Sequence, residues 1–308
     1  MSLKLMEIVE QALASGADSA FLAAGQPVTI KINGSYKLIG DQPLTNTETE
    51  GYVYEAYEMA RRPLTKLDSE MDDRFAISVS GVSRVCISAF RQRNSYVLNL
   101  HIVPFGIPSP EEACIPADVL ELAKLDDGMV IFAGPTNSSK ITTMACLIEW
   151  MNHNRDKYIL TIEKPIEYMF RNDRSFICQR ELGLDAVDIP AAMNFSSWQA
   201  PDVIMVSDIT DSDSFTSILA AANTQPLVFV GVTAKNVSSA VVNLMSMVPT
   251  ADRPSVAKDL ARELQAIVFQ QELPQEDGTL KTTYRVFIPD DRARRAIVSQ
   301  DYYLITCV

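Results

Sequence analysis

The sequence is poor in the residues that build metal sites and disulfide frameworks. It has only two histidines, His101 and His153, and none of its five cysteines forms a C-x-x-C pair. Zinc sites and disulfide frameworks need such residues at close spacing, so we expect neither. We expect buried free thiols instead. The cysteines are Cys86, Cys114, Cys146, Cys178 and Cys307.

Long apolar runs and an excess of positive charge are also missing. No uninterrupted apolar stretch approaches the roughly 18 residues of a membrane span. The first residues lack the apolar segment and cleavage site of a signal peptide. The 27 basic residues stand against 39 acidic ones, a net charge of −12, whereas nucleic-acid binding needs a basic surface. We expect a cytoplasmic protein that is not an integral membrane protein and binds no nucleic acid.

The order of the patterns predicts two α/β domains in the 308 residues. Residues 1–104 form the first domain, with predicted helices at 3–15 and 45–61 and strands at 19–23, 28–32, 73–79, 82–90 and 96–103. Thr45 and the residues after it have the character of a helix cap. Four prolines between 104 and 116 then predict a stiff linker over residues 105–118.

Residues 119–308 alternate between strand and helix patterns. The predicted strands are 129–133, 158–163, 175–179, 203–208, 227–233 and 283–288. Helical patterns between successive strands favour a mainly parallel sheet covered by helices on both faces.

A phosphate-binding loop pattern follows the strand at 129–133, and two of its positions are replaced. In the pattern G-x-x-x-x-G-K-[ST], the second glycine lets bare amides approach phosphate and the last hydroxyl binds Mg²⁺. Ser139 stands in place of that glycine and Ile141 in place of the hydroxyl, while Lys140 is kept. The predicted nucleotide-binding residues are Gly134, Pro135, Thr136, Asn137, Ser138, Ser139, Lys140, Ile141 and Thr142.

The two replacements predict a weakened site. A left-handed turn at a non-glycine residue costs roughly 1–2 kcal/mol, so we expect a rearranged loop in which Asn137 takes the positive-φ position and not Ser139. Ile141 offers no oxygen to a metal. We therefore expect ATP or ADP to bind weakly if at all, and no Mg²⁺ or other metal to bind. Lys140 by itself could equally be a solvated lysine in the first turn of a helix.

The chain resembles the PilT-like secretion ATPases, which include the type IV pilus retraction motors of twitching motility and their type II secretion relatives. The resemblance implies a PAS-like N-terminal α/β domain followed by a RecA-like P-loop domain. It extends over nearly the whole sequence. Its segments are 15–19, the hairpin at Asn33-Gly34, 88–93, the Walker A start at 134–136, the Asp box at 161–167, the strand at 178–181, the Walker B strand at 201–206 and the His box at 227–229.

The departures from the family fall on the polar positions of these motifs. Lys164 replaces an acidic residue, Thr233 replaces the His-box histidine, and Asn194 and Trp198 stand in place of arginines. The resemblance implies that Glu163 and Asp208 are the remaining catalytic candidates, and we expect both to be vestigial. Glu163 would pair with Lys164 or a nearby arginine, and Asp208 would cap a helix at 212–213.

Three arginines of the first domain, Arg84, Arg91 and Arg93, correspond to the region that faces a neighbouring subunit's nucleotide in the family. Only Arg84 matches a family arginine directly, since Cys86 and His101 occupy two other such places. We expect these arginines to form interface ion pairs, or else to lie on a solvated strand face.

Three functional hypotheses follow. The first is a pseudo-ATPase, an accessory or regulatory subunit of a type IV pilus or type II secretion-like apparatus with weak or absent hydrolysis. Its partners would be homologous ATPase subunits or the inner-membrane platform protein, in a homo- or hetero-oligomer held at the inner membrane through protein contacts. The second is an active but divergent motor ATPase, and the third is a scaffold that never binds nucleotide.

Overall fold

The computed structural model describes residues 4–79, 83–136, 138–275 and 279–305. They form two compact units. The first unit takes the chain as far as Gly106, together with Pro165–Tyr168 and the segment between Pro274 and Leu280. The rest of the chain forms the second unit. Within the described ranges, no helix is long and apolar enough to cross a membrane.

The first unit is built on a six-stranded antiparallel sheet in the order β3-β2-β1-β6-β5-β4. Apolar side chains from helices and strands form one core, which includes Leu5, Tyr57, Phe75 and Leu98. Its helices are α1 (Leu5–Ala14), α2 (Asn46–Met59) and α3 (Thr65–Glu70), and its strands are β1 (Ser19–Ala23), β2 (Val28–Ile32), β3 (Ser35–Ile39), β4 (Asp72–Val79), β5 (Ser83–Gln92) and β6 (Ser95–Pro104).

Local sequence signals explain two of these elements. Asn33 and Gly34 have φ values of 48° and 81°, the left-handed pair that a tight hairpin turn between β2 and β3 requires. At the start of α2, Thr45 Oγ1 accepts a hydrogen bond from the Glu48 amide at 3.2 Å, and Glu48 Oε2 accepts one from the Thr45 amide at 2.8 Å. The predicted cap of this helix is therefore confirmed.

The second unit contains a seven-stranded sheet in the order β13-β12-β7-β11-β10-β8-β9. The strands are β7 (Gly128–Gly134), β8 (Tyr158–Glu163), β9 (Phe176–Glu181), β10 (Val203–Val206), β11 (Leu227–Thr233), β12 (Leu264–Pro274) and β13 (Leu280–Phe287). The helices are α4 (Ala117–Leu120), α5 (Lys140–Asn154), α6 (Ile189–Gln199), α7 (Ser212–Ala222), α8 (Val237–Met247), α9 (Arg253–Glu263) and α10 (Asp291–Val298), with 3-10 turns at Glu121–Lys124 and Tyr302–Leu304.

Helices cover both faces of this sheet. Along β7, Ile131 packs with residues of α6 to α10, whereas Val130 and Phe132 pack with residues of α4 and α5. The described pairings among β7 to β12 are all parallel. The predicted α/β class with a mainly parallel second sheet is confirmed. Four elements, β3, α3, α4 and β12, were not predicted.

The cysteines agree only in part with the expected buried thiols. Cys86 and Cys146 are buried free thiols, and Cys178 is half-buried. The expectation is wrong for Cys114, which is exposed in the proline-rich segment before α4. Cys307 lies outside the described residues.

Candidate nucleotide-binding site

The candidate loop follows the carboxyl end of β7, near the middle of the second sheet. β7 is buried along its whole length, with β11 on one side and β12 on the other. Gly134 ends this strand, and a Cβ atom there would lie 2.2 Å from the Gln270 carbonyl oxygen and 2.5 Å from Ser138 Oγ. Only glycine fits this position. The loop thus begins at the carboxyl edge of a parallel sheet, where ligands of α/β proteins bind.

The loop keeps a left-handed turn at Ser139, the position of the pattern's second glycine. Ser139 has φ 57° and ψ 25° and directly precedes α5. The predicted rearrangement away from this turn is therefore wrong, and Asn137, its predicted site, lies outside the described residues. Ser139 Oγ donates a hydrogen bond to Glu272 Oε1 at 2.5 Å. This bond offsets the strain of roughly 1–2 kcal/mol that a non-glycine residue incurs in a left-handed turn.

Lys140 is held within the loop. Its ammonium donates to the carbonyl oxygens of Pro135 at 2.8 Å and Gly134 at 3.2 Å, and lies 3.4 Å from Ser138 Oγ. Burial lowers the pKa of Lys140, and the negative charge of Asp208 partly offsets that effect. Because its ammonium is bonded to the loop, Lys140 is not a solvated lysine.

Ile141 packs against the core. Its half-buried side chain packs against the apolar cluster that contains Val130, Phe132 and Leu147. Thr143, two residues further along, is buried, with its Oγ1 3.2 Å from the Ser139 carbonyl oxygen. The position that normally carries the metal-binding hydroxyl is thus occupied by an apolar side chain in an apolar environment. Within the described part of the chain, no group of three or more acidic, histidine or cysteine side chains is arranged to hold a metal ion.

Glu163 lies at the carboxyl end of β8 and is 1% exposed. Its Oε1 accepts hydrogen bonds from Thr161 Oγ1 at 2.6 Å and from Gln179 Nε2 at 3.2 Å. β10 and β11 separate β8 from β7, so Glu163 is about 14 Å across the sheet from the end of the loop's strand. Glu163 shares the carboxyl edge with the loop but is not adjacent to it.

Asp208 is the carboxylate whose charge acts on Lys140. It is exposed and lies just after β10, two strands from β7. The prediction that Asp208 caps the next helix is wrong. Asp211 is the N-cap of α7 and accepts a hydrogen bond from the Ser214 amide at 2.8 Å. Because this and related bonds stabilise its charged form, the pKa of Asp211 is lowered. The capping preference was assigned to an aspartate three residues too early.

Thr233, the residue predicted to stand in place of a His-box histidine, lies next to the loop. It is paired with Gly134 in the register of β11 and β7, and the amide of Ala234 donates to the Gly134 carbonyl oxygen at 3.0 Å. The Thr233 carbonyl oxygen accepts a hydrogen bond from Asn243 Nδ2 at 3.0 Å. The structure therefore gathers Gly134, Lys140, Asp208 and Thr233 around one loop.

Asn194 and Trp198 are not part of this group. Both lie on α6, and Trp198 is 88% exposed. Asn194 lines a cavity of about 510 Å³ with Asp126, Asp202 and Pro226, which precede β7, β10 and β11. This cavity is at the amino-terminal edge of the sheet, opposite the loop.

The three candidate arginines belong to the first unit, where two of them have local partners. Arg84 donates through Nε to the Ile166 carbonyl oxygen and through Nη1 to Ser78 Oγ at 2.9 Å. Arg91 pairs with Asp68 at 3.1 Å and stacks on the ring of Tyr96. Arg93 has φ 48° and lies with Asn94 in the turn between β5 and β6.

The sequence patterns missed the contribution of β12 to the site. Gln270 on this strand is fully buried and donates through Nε2 to the Ser138 carbonyl oxygen at 2.6 Å. Glu272, two residues further along, accepts from Ser139. A run of apolar residues, Ala266–Phe269, was the available signal, but α9 leads into β12 without a glycine or proline to mark the change.

The chain is similar to a known protein family and to several known proteins. The family model described as "Type II/IV secretion system protein" matches residues 82–292. The type IV pilus ATPase PilU of Pseudomonas aeruginosa is 33% identical over 85% of this chain and 68% of its own length. The crystal structure of the pilus retraction motor PilT with bound ADP is similar with a TM-score of 0.83 at 31% identity, over 99% of this chain and 88% of that one.

The ATPase DotB of Legionella pneumophila has a more distant likeness. Its structure covers 97% of this chain, and 86% of its own length is matched, with a TM-score of 0.78 at 19% identity. At this identity the likeness supports the fold alone.

Proposed function

Because the chain belongs to the type II/IV secretion system protein family, we propose that it is a PilT-like pseudo-ATPase. In this proposal it is an accessory or regulatory subunit of a type IV pilus or type II secretion-like apparatus. It acts through contacts with homologous ATPase subunits or with the inner-membrane platform protein. It works on the cytoplasmic side of the membrane and hydrolyses ATP weakly or not at all.

The observation that carries this proposal is the environment of Ile141. Phosphoryl transfer depends almost entirely on positioning and on neutralising charge, and Mg²⁺ supplies much of the neutralisation. Ile141 occupies the place of the metal-binding hydroxyl and packs against the apolar cluster around Phe132. A rotation of its side chain could not supply an oxygen ligand. The loss of one such stabilising group commonly lowers a rate by about 10²–10³.

Further losses support the same reading. Thr233 cannot supply the imidazole that the family has beside Gly134. Asn194 and Trp198 carry no charge, but they lie on α6, with Asn194 lining the cavity at the opposite edge of the sheet, so they add nothing to the argument from the loop. Every residue of β7 and β10 is buried, as in the core strands of an intact α/β fold. A retained fold with altered polar positions suits a protein that works by docking.

An active but divergent motor is the second candidate, and one specific observation favours it. Lys140 is in place at the start of α5, and Asp208 is near enough for its charge to affect the pKa of Lys140. The loop's lysine is thus still within electrostatic range of an acidic residue. Turnover measurements separate this candidate from the first.

The test is ATP hydrolysis by purified protein at saturating Mg-ATP. We expect no phosphate release above a protein-free control. Lys140→Ala serves as the matched variant, since any contaminating ATPase would survive it. Turnover that is lost in Lys140→Ala would overturn the pseudo-ATPase assignment in favour of a divergent motor.

The docking role needs a separate experiment. We expect light scattering to show assembly of the protein by itself or when mixed with a catalytically intact ATPase of the same family. Deletion should also impair pilus-dependent motility or secretion. A strict monomer in both conditions, together with an unaffected deletion strain, would contradict the proposed role.

A further inference from the structure

Two side chains of β12 hold the loop at adjacent residues. Gln270 Nε2 donates to the Ser138 carbonyl oxygen at 2.6 Å, and Glu272 Oε1 accepts from Ser139 Oγ at 2.5 Å. Because successive side chains of a strand point to opposite faces, residues 270 and 272 share a face of β12. Gln270 is fully buried and Glu272 half-buried. The loop is therefore attached to β12 as well as to its own strand, β7.

The hydrogen bond to Glu272 needs the hydroxyl of Ser139, and Ser139 is also the residue that is strained in the left-handed conformation. A glycine at position 139 would take the left-handed conformation without cost, but it has no hydroxyl to donate. Ser139 bears the cost of this conformation and supplies the donor. A hydrogen bond to an ionised carboxylate is stronger than one between neutral groups. The strain at Ser139 is therefore offset by a hydrogen bond to Glu272, which lies 133 residues further along the chain.

The left-handed turn also positions the start of α5. The Ser139 carbonyl oxygen accepts the amide of Thr143 at 3.0 Å, the first hydrogen bond of this helix, and lies 3.2 Å from Thr143 Oγ1. If Ser139 left its conformation, this carbonyl group would turn away and the first turn of α5 would open. Lys140 and Ile141 are in that turn.

We propose that Glu272 is a positioning residue that substitutes for the missing glycine of the loop. Through Ser139 Oγ it holds residue 139 in the left-handed conformation, and so it fixes the loop and the first turn of α5. The inference deepens the proposed function, since it concerns the conformation of the same loop. It is tested without nucleotide, so that its failure is distinct from the appearance of ATP turnover.

The experiment is a double-mutant cycle with Glu272→Ala and Ser139→Gly, read by hydrogen exchange in the segment that contains the Thr143 amide. We expect Glu272→Ala to speed exchange there by about tenfold or more, the range of a hydrogen bond to a charged group. In the Ser139→Gly background, where neither strain nor hydroxyl remains, Glu272→Ala should change the rate by less than about twofold. Equal effects in both backgrounds would overturn the proposal.

Three further variants separate the hydrogen bond from other effects. Ser139→Ala keeps the Cβ atom and removes the donor, so it should resemble Glu272→Ala, and the two changes together should add nothing. Glu272→Gln keeps an acceptor oxygen but loses the charge, so it should rescue part of the protection. Glu111→Ala removes one negative charge from an exposed site of the same unit and should leave the exchange unchanged. No effect of Glu272→Ala in the otherwise unaltered protein would also overturn the inference.

Discussion

Arg74 and Glu167 form an ion pair in the first unit, with 3.5 Å between Nη2 and Oε1. The Glu167 side chain is only 10% exposed. Burial raises the pKa of Glu167, and electrostatic interactions with His101, Arg74 and Arg84 offset that effect only in part. A carboxyl group with a raised pKa binds protons more readily in the folded state. Its contribution to stability is therefore present at low pH and is lost as pH rises through the raised pKa.

We predict that Glu167→Gln removes this pH dependence. The variant cannot ionise at position 167. Its free energy of unfolding should therefore increase relative to that of the unaltered protein as pH rises from about 4.5, the ordinary glutamate value, through the raised pKa. Urea unfolding at a series of pH values measures the difference. Repeating the comparison in a His101→Gln background removes the effect of the imidazole on the pKa of Glu167. A difference that stays constant with pH would contradict the assignment.

Asp73 is the centre of a buried polar group in the same unit, and we predict a large loss of stability for Asp73→Asn. Its carboxylate accepts from Tyr57 Oη at 3.0 Å and pairs with Arg62 at 3.4 Å and Lys66 at 3.3 Å. Removing its charge takes a buried counter-charge away from Arg62, whose side chain is 6% exposed. We expect a loss of about 3 kcal/mol in the free energy of unfolding.

The matched control for this prediction is Asp68→Asn. Asp68 pairs with Arg91 at 3.1 Å, but both side chains are largely exposed. Such a pair contributes at most about 1 kcal/mol. Denaturant unfolding of both variants gives the comparison, and equal losses would mean that burial does not decide the strength of these pairs.

Gly231 is predicted to tolerate no side chain. A Cβ atom there would lie 2.0 Å from the Ser207 carbonyl oxygen, so Gly231→Ala must displace the end of β10. We expect a loss of at least about 2 kcal/mol in the free energy of unfolding. Gly51→Ala is the control, since this glycine is on the exposed face of α2 with nothing within 4 Å, and alanine there should add up to about 1 kcal/mol. Thermal unfolding distinguishes the two. A Gly231→Ala protein as stable as the original would show that β10 and β11 can separate there.

Restoring the hydroxyl at position 141 is predicted to restore metal-dependent nucleotide binding before hydrolysis. Because Ser139 already takes the left-handed conformation, Ile141→Ser should suffice without a change at position 139. We expect the affinity for ADP to increase at least about tenfold on addition of Mg²⁺, as measured by calorimetry. Ile141→Ala is the control, because it removes the same apolar contacts and supplies no oxygen. A similar response to Mg²⁺ in both variants would exclude the hydroxyl as the cause.

The sequence patterns predicted the buried strands of the second unit well, because β7, β10 and β11 are continuous apolar runs bounded by polar segments. β3 escaped prediction because it is short and four of its five residues are exposed, so it has no buried face for a sequence pattern to mark. β12 escaped because helix and strand meet at Glu263 and Leu264 without a breaking residue. Element type could thus be predicted where burial is periodic or continuous, and not elsewhere.

Only those features of the site that depend on residues close together in the sequence could be predicted. Gly134, Lys140 and the two replaced positions were recognisable from spacing. The conformation of Ser139 was not, since it depends on Glu272, and no local pattern reports a partner so distant in sequence. The helix cap at Asp211 was missed for a smaller reason, because several aspartates and serines compete for it between 207 and 214.

The central place of β7 has a consequence for how the protein is made. Its two neighbouring strands come much later in the chain, since Gly128 pairs with Leu227 and Ala133 pairs with Phe269. At a translation rate of about 5–20 residues per second, the ribosome needs on the order of 5–20 s after β7 to reach the first of these partners. During that interval an entirely apolar strand has no native neighbour on either side. The nascent chain therefore depends on transient shielding of β7, by α5 or by a chaperone, to avoid aggregation.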